Sequence, residues 1–341
     1  MELGNQIKSL RQAKGLTQEA LAEKLGVTAQ AVSKWERGTA LPDITLLPQL
    51  SVLFGVTIDQ LFSLSDESRM DRIQNMLWDE RVLDLEIVER ERAFLLEKAR
   101  REPENGRPYE LLTDMENHLA KEHQELAARY AKECLMRDPT CKGAHDELVS
   151  AMGGKLSDWC YTNHRVLIDW YKDFLEKNPD NRGGYMWLLD QLIDDGRLEE
   201  ARIWLDRMTP VDGTFRTPLY RGLIAWAAGA RKEAMAIWEQ MCKDWRSDWL
   251  VWYSMGDAMA RMGQYPKAEE YYRRSFDLKS PPRYVDCLDS ISQVRELAGD
   301  IPGAIAALEE EVALLADEWD TTTGETVDKV RREIDRLKKK L

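Results

Sequence analysis

Three columns of residues advance in step through the C-terminal half of this chain. Gly196, Gly229, Gly263 and Gly299 are separated by 33, 34 and 36 residues. Ala201, Ala234, Ala268 and Ala304 keep the same separations, and so do Leu205, Trp238, Tyr272 and Leu308. A period near 34 of this composition predicts helical hairpins stacked side by side. Glycine lets the chain reverse, alanine lets two helices approach, and the large side chain fills the hole between them. In such an array each hairpin buries its apolar face only against its neighbours. The chain is therefore expected to be all-α, with a helical-hairpin solenoid over residues 85–324.

One unit, Asp248–Pro281, carries Trp252, Met255 and Gly256 in its first helix, then Gly263, Tyr265, Ala268, Tyr272 and the closing Pro281. This pattern resembles the tetratricopeptide (TPR) family. The resemblance covers roughly residues 105–315 and is strong after about 180. Two upstream stretches, ending at Pro139 and Pro179, read as second helices running into a proline, but their spacing of 40 departs from the repeat. Residues 325–341 read as an amphipathic capping helix, with Lys338, Lys339 and Lys340 suiting the negative end of its dipole.

The N-terminal 62 residues are punctuated differently. Leu3, Ile7 and Leu10 mark one helical face, stopped by Gly15. Thr17 is placed to cap a helix from Gln18 to Leu25 that ends at Gly26, and Thr28 to cap Ala29–Arg37, closed by Gly38. Pro42 and Asp43 open a predicted fourth helix through Phe54, and after Gly55 a short fifth turn runs from Thr57 to Leu61 and Phe62. Ser65 to Ser68 read as the start of a linker or connecting helix over 65–84, which makes 1–64 a separate domain.

Gln18–Arg37 fits a helix-turn-helix. Ala22 is small where two helices cross steeply, and Gly26 tolerates the left-handed turn. GLTQEALAEKLGVTAQAVSKWERG, followed by LPDI and FGVTIDQLF, resembles the lambda-repressor/Cro-like (XRE) family of DNA-binding domains across residues 3–62. That resemblance implies a five-helix domain whose third helix enters the major groove of double-stranded DNA. Ala29, Gln30, Ser33 and Lys34 are then the base-contact candidates. Gln30 can pair bidentately with adenine, Lys34 can donate to guanine, and Ala29 offers an apolar contact to a thymine methyl. Thr17 and Gln18, at a helix start, and the backbone near Gly38 and Thr39 are the phosphate-contact candidates. Arg11 and Glu36 are expected to form an internal salt bridge, and Trp35 to lie in the core.

Charge sharpens the division. Of 48 basic and 61 acidic side chains in 341 residues, six of each lie in residues 1–64, so the whole net charge of −13 belongs to the remainder. Residues 1–40 hold six basic and four acidic groups, a local excess of two. So small an excess releases few counterions, and one head is expected to bind DNA weakly. A homodimer on an inverted repeat, reading half-sites about 34 Å apart, offsets this.

In a TPR array the first helix of each hairpin lines an inner groove. Carried over by that resemblance, the effector-groove candidates are Met186, Asp190, Asp194, Arg216, Trp226, Tyr253, Asp257, Arg261, Asp289 and Glu296. Five acidic residues to two basic favours a cationic or mixed peptide or protein effector. An XRE head on a TPR body looks like the peptide-sensing regulators of Gram-positive bacteria, although no asparagine follows Asn181 to make the backbone clamp of that group.

Cys141/His145 and Cys160/His164 are i,i+4 pairs. Antiparallel helices would hold them at opposite ends, so no metal site and no cofactor is expected. Five cysteines at irregular spacing suit reduced thiols in a cytoplasmic protein. No apolar run reaches the length of a membrane span. Phosphate-loop, HExxH and GxSxG patterns are absent, which points to binding and not to an enzyme. The reading is a transcriptional regulator; the alternative is a TPR scaffold or adaptor whose head docks protein or is vestigial.

Overall fold

The computed structural model describes residues 2–56, 58–61 and 66–341, and every regular element among them is a helix. The chain separates into two compact units, Met1–Gln124 and Glu125–Leu341.

The first unit opens with α1 (Glu2–Ala13), α2 (Gln18–Leu25), α3 (Ala29–Glu36), α4 (Leu47–Phe54) and α5 (Ile58–Leu61). Ile7, Leu21, Val32, Leu50 and Leu61 are wholly buried at their centre. The caps act as the sequence implies: Thr17 Oγ1 accepts from the Ala20 N–H at 3.1 Å and Thr28 Oγ1 from the Ala31 N–H at 3.2 Å. Gly26 takes the left-handed turn at φ +67. Gly4 is required by packing, since a Cβ there would stand 2.0 Å from the Trp35 carbonyl oxygen.

The fourth helix begins later than expected. Asp43 caps a 3-10 turn, Ile44–Leu46, by accepting from the Thr45 N–H at 2.9 Å, and α4 starts only at Leu47. Pro48 explains the shift. Inside a helix running from Asp43 it would delete a hydrogen bond and clash with the preceding turn, whereas in the first turn of α4 its missing N–H costs nothing. Thr57, Phe62 and Ser65 lie outside the described residues.

In the stretch read as a linker or connecting helix, Asp66 opens α6 (Asp66–Asp79), followed by α7 (Leu85–Arg101) and the 31-residue α8 (Arg107–Arg137). Met70, Ile73, Val88, Leu95, Leu111 and Met115 form a second core in the first unit. Arg69 Nε donates to Glu91 Oε2 at 2.7 Å beside it. The segment is packed structure because its apolar residues recur at i, i+3 and i+7.

The second unit contains the rest of α8, then α9 (Lys142–Ala151), the single turn α10 (Trp159–Thr162) and α11 (Arg165–Lys177). α9 and α10 bury no side chain, and the regular repeat is absent here. From Asn181 four hairpins follow: α12 (Arg182–Asp194) with α13 (Leu198–Met208), α14 (Arg216–Ala227) with α15 (Arg231–Asp244), α16 (Trp249–Arg261) with α17 (Tyr265–Leu278), and α18 (Asp286–Leu297) with α19 (Ile301–Trp319). The three columns do what their chemistry requires. All four glycines have positive φ, all four alanines are wholly inaccessible, and Leu205, Trp238, Tyr272 and Leu308 are buried. A Cβ on Gly222 would stand 2.1 Å from Trp238 Nε1, so the indole occupies the space a side chain would need. Burying such a ring contributes about 3 kcal/mol. Finally α20 (Glu325–Lys338) lays Val327, Val330, Ile334 and Leu337 against α19.

Candidate nucleic-acid interface

Helix α3 is fixed on one side and open on the other. Val32 and Trp35 enter the head core. Glu36, at its last turn, accepts from Arg11 Nε at 2.6 Å and Nη2 at 3.1 Å, and from Gln18 Nε2 at 2.8 Å. Arg11 also donates to the Leu16 carbonyl at 2.5 Å. Burial by itself would raise the Glu36 carboxyl, but the hydrogen bonds from Arg11 and Gln18 outweigh it and hold the group below the usual carboxylate range. The expected internal salt bridge is therefore present, and it ties α1, α2 and α3 together.

On the free side, Gln30 and Lys34 are exposed, four residues apart and hence on one face. Neither side chain is held by a hydrogen bond or ion pair among the described residues. Ser33 is half-buried, and Ala29 packs partly against the head core, so the four base-contact candidates divide into two projecting side chains and two flanking ones. Arg37, just past the helix, is also exposed and donates from Nε to the Ser33 carbonyl at 3.2 Å. Its place one turn beyond Ser33 was the signal available for adding it to the cationic edge.

The phosphate-contact candidates fare differently. Thr17 is exposed at the start of α2, its hydroxyl oxygen occupied as the cap acceptor. Gln18 gives one of its two side-chain amide N–H groups to Glu36, which orients the side chain and leaves the second amide N–H and the backbone N–H as donors at the helix start. At the other end the donors are spent. The Gly38 N–H bonds the Trp35 carbonyl at 2.9 Å, and the Thr39 N–H and hydroxyl both bond the Lys34 carbonyl, at 2.9 and 3.2 Å. This turn closes α3 on itself, so Gly38 and Thr39 have no such donor to offer a phosphate.

A helix-turn-helix family model matches residues 7–61. The HTH-type transcriptional activator BcrR of Enterococcus faecalis is 37% identical over 97 residues, 26% of this chain and 47% of that protein. The uncharacterized HTH-type transcriptional regulator MJ0272 of Methanocaldococcus jannaschii is 38% identical over 63 residues, 18% of this chain and 96% of that protein. This chain belongs to the helix-turn-helix family of transcriptional regulators. It spans about half the length of the activator. A solved tetratricopeptide repeat protein from Parabacteroides merdae is similar at 14% identity and TM-score 0.39, covering 79% of this chain and 98% of that one.

In this helix-turn-helix protein the groove candidates of the second unit fall into groups. Tyr220 donates to Asp190 Oδ1 at 2.9 Å and to the Met186 carbonyl at 3.2 Å, and Tyr272 donates to Asp257 Oδ1 at 2.7 Å. Burial raises both carboxyls, and the fields of Arg216 and Arg261 reach both of them. Tyr253 lies 3.4 Å from Ser290 Oγ and packs against the Tyr272 ring. Trp226 stacks on Trp238, which makes it an extension of the core. Asp289 accepts from Gln293 at 2.9 Å. Glu296 is held by Arg336 and Lys340, which pull its carboxyl down to about 2.

Arg216 and Arg261 make no ion pair among the described residues; the Arg216 guanidinium donates to Ser254 Oγ at 3.5 Å and lies 4.6 Å over the Phe215 ring. Free N–H donors for a ligand sit on the two guanidinium groups, and free acceptor positions remain on the carboxylates of Asp190 and Asp257.

Asp194 is exposed beside His164, whose Nδ1 lies 3.8 Å from it and 2.7 Å from Asp195 Oδ1. Asp195, which the sequence reading passed over, also accepts the His164 backbone N–H. His145 Nε2 lies 3.3 Å from the Pro139 carbonyl. Each histidine of the two Cys/His pairs is therefore engaged with a partner other than its cysteine. No helix among the described residues is long and apolar enough to cross a membrane.

Proposed function

We propose that this protein is a sequence-specific, DNA-binding transcriptional regulator that works in the cytoplasm as a homodimer and acts by binding, without catalysis. One observation carries the reading: Gln30 and Lys34 stand free on the exposed face of α3 while Trp35 and the Arg11–Glu36 pair clamp its other face. A rigid helix presenting an amide and an ammonium is the arrangement that reads adenine and guanine edges in a major groove. The small cationic excess of the head supports two heads on an inverted repeat, since one alone neutralises few phosphates.

The hairpin array is assigned self-association and effector sensing. Arg216 and Arg261, without an ion pair among the described residues, support an effector that carries an anionic group, a peptide carboxylate among them, within the cationic or mixed class that residue counting favours.

Selection from random oligonucleotides with the full chain tests the proposal. An enriched inverted repeat, bound by a dimer in sedimentation and lost on combining Gln30→Ala with Lys34→Ala, supports it. Enrichment of no site, or unchanged binding by the double variant, overturns it.

A further inference from the structure

On the flank of α16 away from Tyr253 and Asp257, the structure holds a cavity of about 420 Å³ between α15, α16 and α17. Its floor is apolar and already desolvated: Trp238, Trp252 and Met255 are each at least 95% buried. The Tyr271 ring closes one wall, 5.6 Å from Trp252 between centroids. Concave volumes of roughly 300–1,000 Å³ with apolar walls and a few convergent polar groups are those that take small organic ligands.

The mouth supplies the polar groups. Lys243, Arg246 and Arg274 border the cavity, together with Glu239 and Glu270. None of the three cations makes an ion pair within 4 Å among the described residues. Glu239 can serve Lys243 and Glu270 can serve Arg274 across one helical turn, which leaves the charge of Arg246 over. Arg246 is held at the rim because its carbonyl accepts from Trp252 Nε1 at 3.0 Å. The Arg274 guanidinium lies 3.5 Å above the Trp252 ring, so its face is occupied while its edge N–H groups remain available. An anion resting there meets a planar donor edge, with the half-buried Tyr271 ring in the wall beside it.

We infer that this cavity is a binding site for a small organic monoanion, a carboxylate with an aromatic or aliphatic body, its acid group at Arg246 and Arg274 and its body against Tyr271 and Met235, which keep part of their surface open. Cys242, which also lines the cavity, is pushed up to about 11 by burial, so it stays a thiol at neutral pH and serves as wall, not as nucleophile or metal ligand. The site lies apart from the inner face that carries Arg216 and Arg261 and does not depend on what α3 binds.

The test uses the intact chain and phenylbutyrate, with phenylbutanol and phenylbutylamine as neutral and cationic counterparts of the same body, read by calorimetry and tryptophan fluorescence. Phenylbutyrate is expected to bind and to change the fluorescence, with the alcohol at least about tenfold weaker and the amine weaker still. Arg246→Ala and Arg274→Ala, each checked for unchanged helical circular dichroism, should weaken phenylbutyrate at least about tenfold, while Arg216→Ala should leave it alone. Absence of binding at about 10 mM phenylbutyrate overturns the inference. So does an amine that binds as well as the acid, or rim variants with unaltered affinity.

Discussion

Arg11 Nε lies 2.6 Å from Glu36 Oε1, joining the first helix of the head to the last turn of the helix that faces outward. Both side chains are largely removed from solvent, with 11% and 3% of their surfaces exposed. Removing one partner of such a pair strands the other's charge and its hydrogen-bond donors or acceptors. Glu36→Ala is expected to destabilise the head by about 3 kcal/mol, and joint replacement by Arg11→Met and Glu36→Leu to recover much of that. Urea denaturation of the two variants beside the unsubstituted protein measures it. Because the folded Glu36 carboxyl is depressed, its contribution is present above the ordinary carboxylate pKa. It is lost as pH falls below about 4 through the folded value.

The exposed side chains of the same helix behave in the opposite way. Gln30→Ala and Lys34→Ala touch neither the core nor a partner, so thermal stability should shift by less than about 0.5 kcal/mol. Each should weaken binding to the selected operator by about 1–3 kcal/mol and relax preference at one base position. Fluorescence anisotropy against the operator and its single-base variants separates this from a general loss of affinity.

Glu311 is buried in α19, and its Oε2 has no hydrogen-bond partner among the described residues. Burial, reinforced by Asp289 and Asp286 on α18 and opposed by Lys329 on α20, raises its carboxyl to about 7. A raised acid binds more protons in the folded state, so stability falls as pH climbs from about 4.5 to 7 and stays lower above. Glu311→Gln should therefore stabilise the second unit on the order of 2 kcal/mol at pH 8, with the gain vanishing near pH 4. Thermal melts of both proteins across that range decide it.

Gly222 and Gly229 test two different demands on glycine. Gly222 leaves no room beside Trp238, so Gly222→Ala should displace the indole and cost about 2 kcal/mol, with a changed near-ultraviolet signal. Gly229 has open space but φ +83, so Gly229→Ala should cost about 1 kcal/mol through backbone strain and leave that signal alone.

Helix existence, caps and turns were legible because they are local. Thr17, Thr28 and Gly26 act on neighbours within a few residues, and the glycine, alanine and large-residue columns repeat one packing solution four times. Pro48 is equally local in its effect, and where α4 starts follows from the same rules. Residues 65–84 read as a linker or connecting helix because four polar residues open them, and the apolar spacing after Met70 decides for a packed helix.

The sequence by itself determined that the head is a helix-turn-helix, that the array is built of hairpins, and that Gln30 and Lys34 share an outward face. Only the tertiary structure decided that Gln18 donates to Glu36, that Arg336 and Lys340 engage Glu296, and that Trp252, Tyr271 and Arg246 surround one cavity. Periodicity and capping depend on separations of a few residues that the chain fixes directly. Those other partners lie 6 to 44 positions apart, and which polar group reaches which is set by how whole helices come to rest against one another.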